Sequence, residues 1–149
     1  YIKSHKGDTE GAIEEHSCNI YQILNLFENE VLCIGNEYFY KGQYEDAIKY
    51  LDKFSADDQL VSPALMATMG NCYAQLGQLD KAAATLMKAA SKADSHALSP
   101  IYLIQAGQIY EKLGKKSEAL KAYQTVKDKY FNSYQSMEID KYIERASVK

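Results

Sequence analysis

The fold is decided by residues 62–94, which read SPALMATMGNCYAQLGQLDKAAATLMKAASKAD. Ser62 is a favourable N-cap, and Pro63 suits the first position of a helix, where its missing N–H group is not needed. Apolar residues follow at helical spacing up to Gly77, which is expected to end the helix in the left-handed conformation. Asp80 begins a second helix with alanine and leucine on its inner face. The stretch therefore predicts two antiparallel helices.

This helix pair is repeated on both sides of residues 62–94. A shift of 37 residues matches the following pairs: Ser62 and Ser99, Pro63 and Pro100, Gly70 and Gly107, Tyr73 and Tyr110, Gly77 and Gly114, Ala82 and Ala119. A shift of 35 residues matches a second set: Gly35 and Gly70, Asn36 and Asn71, Tyr38 and Tyr73, Gly42 and Gly77, Ala47 and Ala82, Leu51 and Leu86. Recurrence at such a period is typical of helical repeats. It predicts three units, at about 28–61, 62–98 and 99–131.

One glycine of each unit falls inside a predicted helix, where glycine costs about 1 kcal/mol relative to alanine. Its recurrence at Gly35, Gly70 and Gly107 indicates a close approach of the paired helix. We expect small residues to face these glycines, with tyrosines beside them. The alanines concerned are Ala47, Ala82 and Ala119, and the tyrosines are Tyr38, Tyr73 and Tyr110.

The order of glycine, tyrosine, glycine, alanine and a bulky residue resembles the tetratricopeptide repeat. The resemblance covers residues 28–131 and implies an all-α fold, a right-handed superhelix of about three helix pairs with flanking N- and C-terminal helices. Together with the length of 149 residues it implies a single domain, 1–149. The sequence departs from the family pattern in places. Val31, Met66 and Leu103 stand where a large aromatic residue is usual, and Phe131 replaces a closing proline.

The two ends of the chain are less regular. Residues 9–27 suggest a helix that precedes the first unit, and residues 134–147 suggest a C-terminal helix with Met137, Tyr142, Ile143 and Ala146 on its apolar face. Terminal helices of this kind shield the edges of stacked repeats. Residues 139–146 also resemble bacterial envelope-anchored tetratricopeptide proteins, which implies a periplasmic site and a membrane anchor upstream of Tyr1. A cytoplasmic location is the alternative.

Composition argues against several function classes. The net charge is −3, and only Arg145 of the 17 basic residues is an arginine, which disfavours nucleic-acid binding. No catalytic motif occurs, so we expect neither an enzyme nor a cofactor. His16 and Cys18 would point apart on a helix, which argues against a metal site. The three cysteines, Cys18, Cys33 and Cys72, are expected to be buried thiols.

The resemblance also implies a binding surface, because first helices line the concave side of such a solenoid. The positions carried over from the family are Asn29, Leu32, Asn36, Phe39, Tyr40, Ala64, Ala67, Asn71, Ala74, Gln75, Ile101, Ile104, Gln108, Glu111 and Lys112. The best candidates are Asn36, Phe39, Tyr40, Asn71, Gln75 and Gln108. Side-chain amides can bond any peptide backbone because they both donate and accept, although they could equally bond neighbouring helices or water.

One binding mode of the family is disfavoured. Leu32 and Ile104 stand where lysines would clamp a terminal carboxylate, and Thr68 replaces an asparagine of that clamp. The sequence therefore predicts a non-catalytic scaffold that holds a partner polypeptide in its groove. Self-association into a homo-oligomer, as an assembly module of the cell envelope, is the alternative. It is favoured by the 13 tyrosines of the chain, since tyrosine is common at interfaces.

Overall fold

The computed structural model describes residues 22–23, 26–54 and 62–148, and all regular structure in these ranges is helical. Most of the helix expected over 9–27 lies outside the described residues. The helical residues 26–40 form α1. The helices that follow are α2 (Tyr44–Asp52), α3 (Pro63–Gln75), α4 (Leu79–Ala93), α5 (Ser99–Lys112), α6 (Lys116–Lys129) and α7 (Ile139–Ser147), with a 3₁₀ turn at Tyr134–Met137 before α7.

The helices pack in chain order. From α2 to α7, each helix makes extensive contact with the next, and the 3₁₀ turn lies against α5, α6 and α7. This arrangement confirms the predicted all-α helical-repeat fold. No helix within the described ranges is long and apolar enough to cross a membrane.

The predicted helix ends of the middle unit are confirmed. Pro63 is the first residue of α3, and the Ser62 hydroxyl accepts a hydrogen bond from the Ala64 amide at 3.3 Å. Gly77 has a φ of +77°, the left-handed conformation that only glycine adopts without strain. Gly42 and Gly114 repeat this geometry with φ of +77° and +74°, so the same turn joins the two helices of each unit.

The third unit begins differently from the prediction. Ser99 was expected to cap α5 as Ser62 caps α3, but it lies within α5 and is fully buried. Its hydroxyl donates to the Ala90 carbonyl at 2.8 Å and accepts from the Ser95 amide at 3.0 Å. The connection from α4 to α5 is short enough for Ser99 to reach the end of α4. The hydroxyl therefore joins two units instead of capping its own helix.

The helix-interior glycines do allow a close approach, but the alanines are not the principal facing residues. A β-carbon at Gly35 would lie 2.6 Å from Cδ2 of Leu51, and one at Gly70 would lie 2.9 Å from Cγ of Leu86. At Gly107 it would overlap the ring of Tyr123. The glycines thus make room for the bulky residue of the second helix. The predicted alanines, Ala47, Ala82 and Ala119, are fully buried within the core.

The cysteines divide into two environments. Cys72 is fully buried as predicted, and burial raises the pKa of its thiol to about 11. Cys33 lies on α1 and is exposed, so the prediction of a buried thiol was wrong for this residue. The reason is helical phase: Val31 and Gly35 are buried, and Cys33, two residues from each, falls on the opposite side of α1. Cys18 lies outside the described residues.

The C-terminal segment also differs in detail from the predicted single helix over 134–147. Met137 belongs to the 3₁₀ turn and is 81% exposed, so its placement on the buried face was wrong. Ile139 takes that role at the start of α7 and is buried together with Ala146. The reason is the break between the turn and α7, which rotates Met137 out of the helical phase.

Candidate partner-binding groove

The amide-bearing residues occupy one position of the repeat, immediately after the helix-interior glycines. Asn36 and Asn71 are half-buried on α1 and α3, and Gln108 is exposed on α5. The preceding glycines are buried against the second helices, so the next residue on each first helix lies beside that contact. Repeat symmetry thus places the three amides at equivalent points along one face.

Asn36 is already engaged by the next unit. Its Oδ1 accepts a hydrogen bond from the Thr68 hydroxyl at 3.1 Å. The same hydroxyl lies 3.1 Å from the Ala64 carbonyl of its own helix. The Asn36 oxygen therefore ties α1 to α3, while the amide nitrogen has no hydrogen-bond acceptor among the described residues.

The other predicted amides make no side-chain hydrogen bond to any residue that the structure describes. They are Asn71, Gln75 and Gln108. Gln105 on α5 is a further polar residue of the first helices, which sequence reasoning missed. It occupies the position of Thr68 one unit later, and its Oε1 is buried without a hydrogen-bond partner. The 37-residue shift that equates Gln105 with Thr68 was the signal that could have found it.

Three aromatic rings lie at the α1 end of the predicted partner-binding surface. The Phe39 ring lies edge-on to Tyr40, with centroids 5.7 Å apart, and edge-on to Tyr44, with centroids 5.3 Å apart. Tyr40 is 84% exposed, and the other two rings are half-buried. Phe39 and Tyr40 were predicted from sequence, whereas Tyr44 joins them because the glycine turn brings the start of α2 back beside the end of α1.

At the α5 end of the predicted binding surface, Glu111 is engaged in an ion pair with Arg145. Glu111 accepts hydrogen bonds from Arg145 Nε at 3.1 Å and Nη2 at 2.9 Å, and from the Tyr123 hydroxyl at 2.5 Å. The Arg145 guanidinium holds the pKa of Glu111 below its usual value. Burial, followed by the nearby carboxylate, raises the pKa of Tyr123. Glu111 therefore anchors α7, and Lys112 stays exposed.

The remaining positions vary in what they offer a ligand. Ala67 is only 5% exposed, so its placement on the contact surface was wrong: it packs in the core shared with α4 and α5. Leu32, Ala64, Ala74 and Ile104 are half-buried, and Ile101 is exposed. Within the described part of the chain, no three His, Cys, Asp or Glu side chains are grouped so that they could hold a metal ion.

Sequence profiles and solved structures identify the relatives of this arrangement. Two tetratricopeptide repeat profiles match the chain, at residues 38–99 and 102–133, and together they cover more than half of it. No curated protein sequence matches significantly.

Among solved structures, yeast Tom70 is 22% identical with a TM-score of 0.66, over 82% of this chain and 24% of Tom70. The first TPR domain of human RPAP3 is 24% identical with a TM-score of 0.59, over 78% of this chain and 88% of that domain. The translocator chaperone SycD of Yersinia enterocolitica type III secretion is 19% identical with a TM-score of 0.60, over 79% of this chain and 81% of SycD.

These likenesses concern the fold, and the chain spans only about a quarter of Tom70. Tetratricopeptide repeats generally serve as protein–protein interaction modules and are typically non-catalytic. With two matching repeat profiles and the same consecutive helix pairs, the chain belongs to the tetratricopeptide repeat family.

Proposed function

We propose that the chain is a non-catalytic scaffold that holds a partner polypeptide in the groove lined by α1, α3 and α5. The observation that carries this proposal is the set of side-chain amides on the first helices that make no hydrogen bond within the described residues. Asn71, Gln75 and Gln108 form this set, and the Asn36 amide nitrogen adds one more donor.

Free amides suit the recognition of a peptide main chain. Each provides a donor and an acceptor, so it can pair with a backbone carbonyl or N–H group of any sequence. Gln105 adds to this capacity, because its buried Oε1 has no donor in the described protein. A buried acceptor is costly to leave unpaired, so a ligand or water that supplies an N–H or O–H group is favoured there.

A display selection tests the proposal and requires no identified partner. A library of random dodecapeptides is selected against the protein, and the tightest peptides are measured by fluorescence anisotropy. The variant Asn71→Ala, Gln75→Ala, Gln108→Ala should bind them at least about tenfold more weakly, since it removes hydrogen bonds that contribute about 1 kcal/mol each. Helix content should stay unchanged by circular dichroism.

The matched control is Gln124→Ala. Gln124 is exposed on α6, outside the first helices, and within the described residues its side chain bonds only Asp128, one turn away. This substitution should leave peptide affinity unchanged. Selection of peptides whose affinity is the same for the triple variant and the wild type would contradict a groove lined by these amides.

Self-association is the second candidate function, and one surface favours it. Phe131, Tyr134 and Met137 are 63%, 77% and 81% exposed in the segment between α6 and α7. Large exposed apolar side chains within one short segment are often covered by another chain. Light scattering over a wide range of protein concentrations should show oligomers that the variant Phe131→Ser, Tyr134→Ser, Met137→Ser lacks. A monomer at every concentration removes this candidate.

A place at the bacterial envelope belongs to the same second candidate. It rests on the resemblance of residues 139–146 to envelope-anchored proteins alone. Cell fractionation of the source organism, with antibody detection of the chain, tests it: recovery in the cytosol would rule it out.

A further inference from the structure

The turn between α1 and α2 combines exposed aromatic area with a recess. The connected rings of Phe39, Tyr40 and Tyr44 reach the edge of a cavity of about 220 Å³. That cavity is lined by Gly42, Gln43, Tyr44, Glu45, Asp46 and Leu76. The aromatic group lies at the α1 end of the groove, so a peptide that follows the amides toward α1 would arrive at it.

Three exposed carboxylates lie at this turn. Glu37, Glu45 and Asp46 are exposed, and none of them forms an ion pair with a residue in the described ranges. Between residues 37 and 46 the only basic side chain is Lys41. The turn thus presents three carboxylates and one lysine beside the rings.

The equivalent turns of the other two units differ in charge. In the second unit Asp80 is paired with Lys115 at 2.9 Å, and Lys81 lies 5.7 Å from the centre of the Tyr73 ring. The 35-residue shift places Asp46 where the second unit has Lys81. In the third unit the corresponding residues 109–118 contain three lysines and two glutamates. The turn edge of the solenoid therefore changes from acidic at α1 to basic at α5.

Elsewhere in the described part of the chain, its own cations lie over tyrosine rings, one of them buried and the other half-buried. Lys129 lies 5.5 Å from the centre of Tyr130, and Arg145 lies 5.1 Å from the centre of Tyr142. The Phe39–Tyr40–Tyr44 group has no such cation from the part of the chain that the structure describes. Rings flanked by carboxylates attract a cation strongly, because the ring quadrupole and the carboxylate charge act together.

We propose that the acidic aromatic turn formed by Glu37, Phe39, Tyr40, Tyr44, Glu45 and Asp46 receives a lysine or arginine side chain of the peptide held in the groove. This inference rests on the proposed function and adds a partner class and an orientation: the bound segment is basic at the end that reaches α1. Arginine is the better occupant, since its planar guanidinium stacks on a ring while pairing with a carboxylate. Anionic partners would be repelled from this turn.

The test starts from the peptides of the same dodecapeptide selection. Those that bind in the groove should be enriched in arginine and lysine toward one end. In the tightest of them, replacing that basic residue by glutamine should weaken binding about tenfold. The protein variant Glu37→Gln, Glu45→Gln, Asp46→Asn should bind the original peptide more weakly by a similar factor. Its affinity for the glutamine peptide should be nearly the same as that of the wild type. This coupling locates the contact, because independent effects would multiply.

Two further variants distinguish a local contact with this turn from a general effect of the protein's negative charge on basic peptides. Tyr40→Leu removes an 84% exposed ring that supports no core packing, and it should weaken the arginine peptide several-fold more than the glutamine peptide. The variant Glu118→Gln, Asp128→Asn, Glu144→Gln removes the same number of exposed carboxylates from α6 and α7. It should leave the affinity of the arginine peptide unchanged.

The outcomes distinguish this inference from the proposed function. Peptides that depend on Asn71, Gln75 and Gln108 but show neither basic enrichment nor sensitivity to the Glu37, Glu45 and Asp46 substitutions would overturn the inference alone. Peptides that are basic but respond equally to both carboxylate variants would also overturn it, since general charge would then explain their binding. Failure to select any peptide would count against both proposals.

Discussion

The ring of Tyr123 on α6 lies directly against the backbone of Gly107 on α5. A β-carbon at residue 107 would come within 2.7 Å of Cζ of that ring. In the first two units a leucine, Leu51 or Leu86, holds the place of Tyr123. The tyrosine adds a hydroxyl that reaches Glu111, which in turn binds Arg145 of α7. One glycine therefore permits a contact that connects α5, α6 and α7.

We expect Gly107→Ala to destabilise the protein. Overpacking against a rigid buried ring costs roughly 1–3 kcal/mol, and the better helix propensity of alanine returns about 1 kcal/mol. The net loss in the free energy of unfolding should be up to about 2 kcal/mol, measured by urea denaturation. In a Tyr123→Leu background the same substitution should cost less, because a leucine side chain can move aside. An equal penalty in both backgrounds would show that the ring is not the obstacle.

Thr68→Val should weaken the junction between α1 and α3. The substitution removes the hydroxyl that donates to Asn36 and leaves a half-buried amide oxygen without its donor. We expect a loss of about 1 kcal/mol in the free energy of unfolding. Thr85→Val is the matched control. Among the described residues the Thr85 hydroxyl bonds only the Lys81 carbonyl of its own helix, and this bond is solvent-accessible. Thermal unfolding that ranks the two variants equally would contradict a role for the Thr68–Asn36 bond.

The fold was predictable because its signals are local and repeated. Pro63, Gly77 and the helix-interior glycines each specify one backbone or packing requirement, and their spacing gives the size of the unit. What could not be predicted is the detail that depends on contacts between units. The role of Ser99 follows from its distance to the Ala90 carbonyl, which no sequence pattern specifies.

The sequence could indicate which helices carry the candidate residues, but not which contacts their side chains make. The family resemblance identified Asn36, Phe39, Tyr40 and Gln108 as surface positions of the first helices. It could not indicate that Asn36 is bonded to Thr68, since two unlike side chains at different repeat positions carry no periodic signal. For the same reason Tyr44 was missed, because it belongs to the second helix of its unit and joins the aromatic group only through the turn.

The exposed and buried cysteines should differ in reactivity toward Ellman's reagent. In a Cys18→Ser background, Cys33 should react at the rate of an accessible thiol. Cys72 should be inert in the folded protein, because it is buried and burial raises its pKa to about 11, which suppresses the thiolate. In denaturant both thiols should react at once. Two equally fast thiols under native conditions would contradict the burial of Cys72 on α3.

The anchoring of α7 should be lost in acid. Arg145 lowers the pKa of Glu111 in the folded protein below the ordinary value of 4.5. The contribution of the Glu111–Arg145 pair to the free energy of unfolding is therefore fully present above pH 4.5. It is lost as the pH falls through the pKa of Glu111 in the folded protein. Because the Arg145 side chain is 51% exposed, this contribution is at most about 1 kcal/mol.

Glu111→Gln isolates this effect. Other carboxylates, including Asp94, whose pKa Lys129 lowers, add to acid sensitivity in both proteins, so the wild type must be compared with the variant at each pH. The wild type should be the more stable at pH 7, and the two should converge below pH 4.5. Hydrogen exchange of the α7 amides should follow the same pattern, with faster exchange in the variant at pH 7 only. A difference in stability that stays constant from pH 7 to pH 3 would mean that the Glu111–Arg145 pair does not anchor α7.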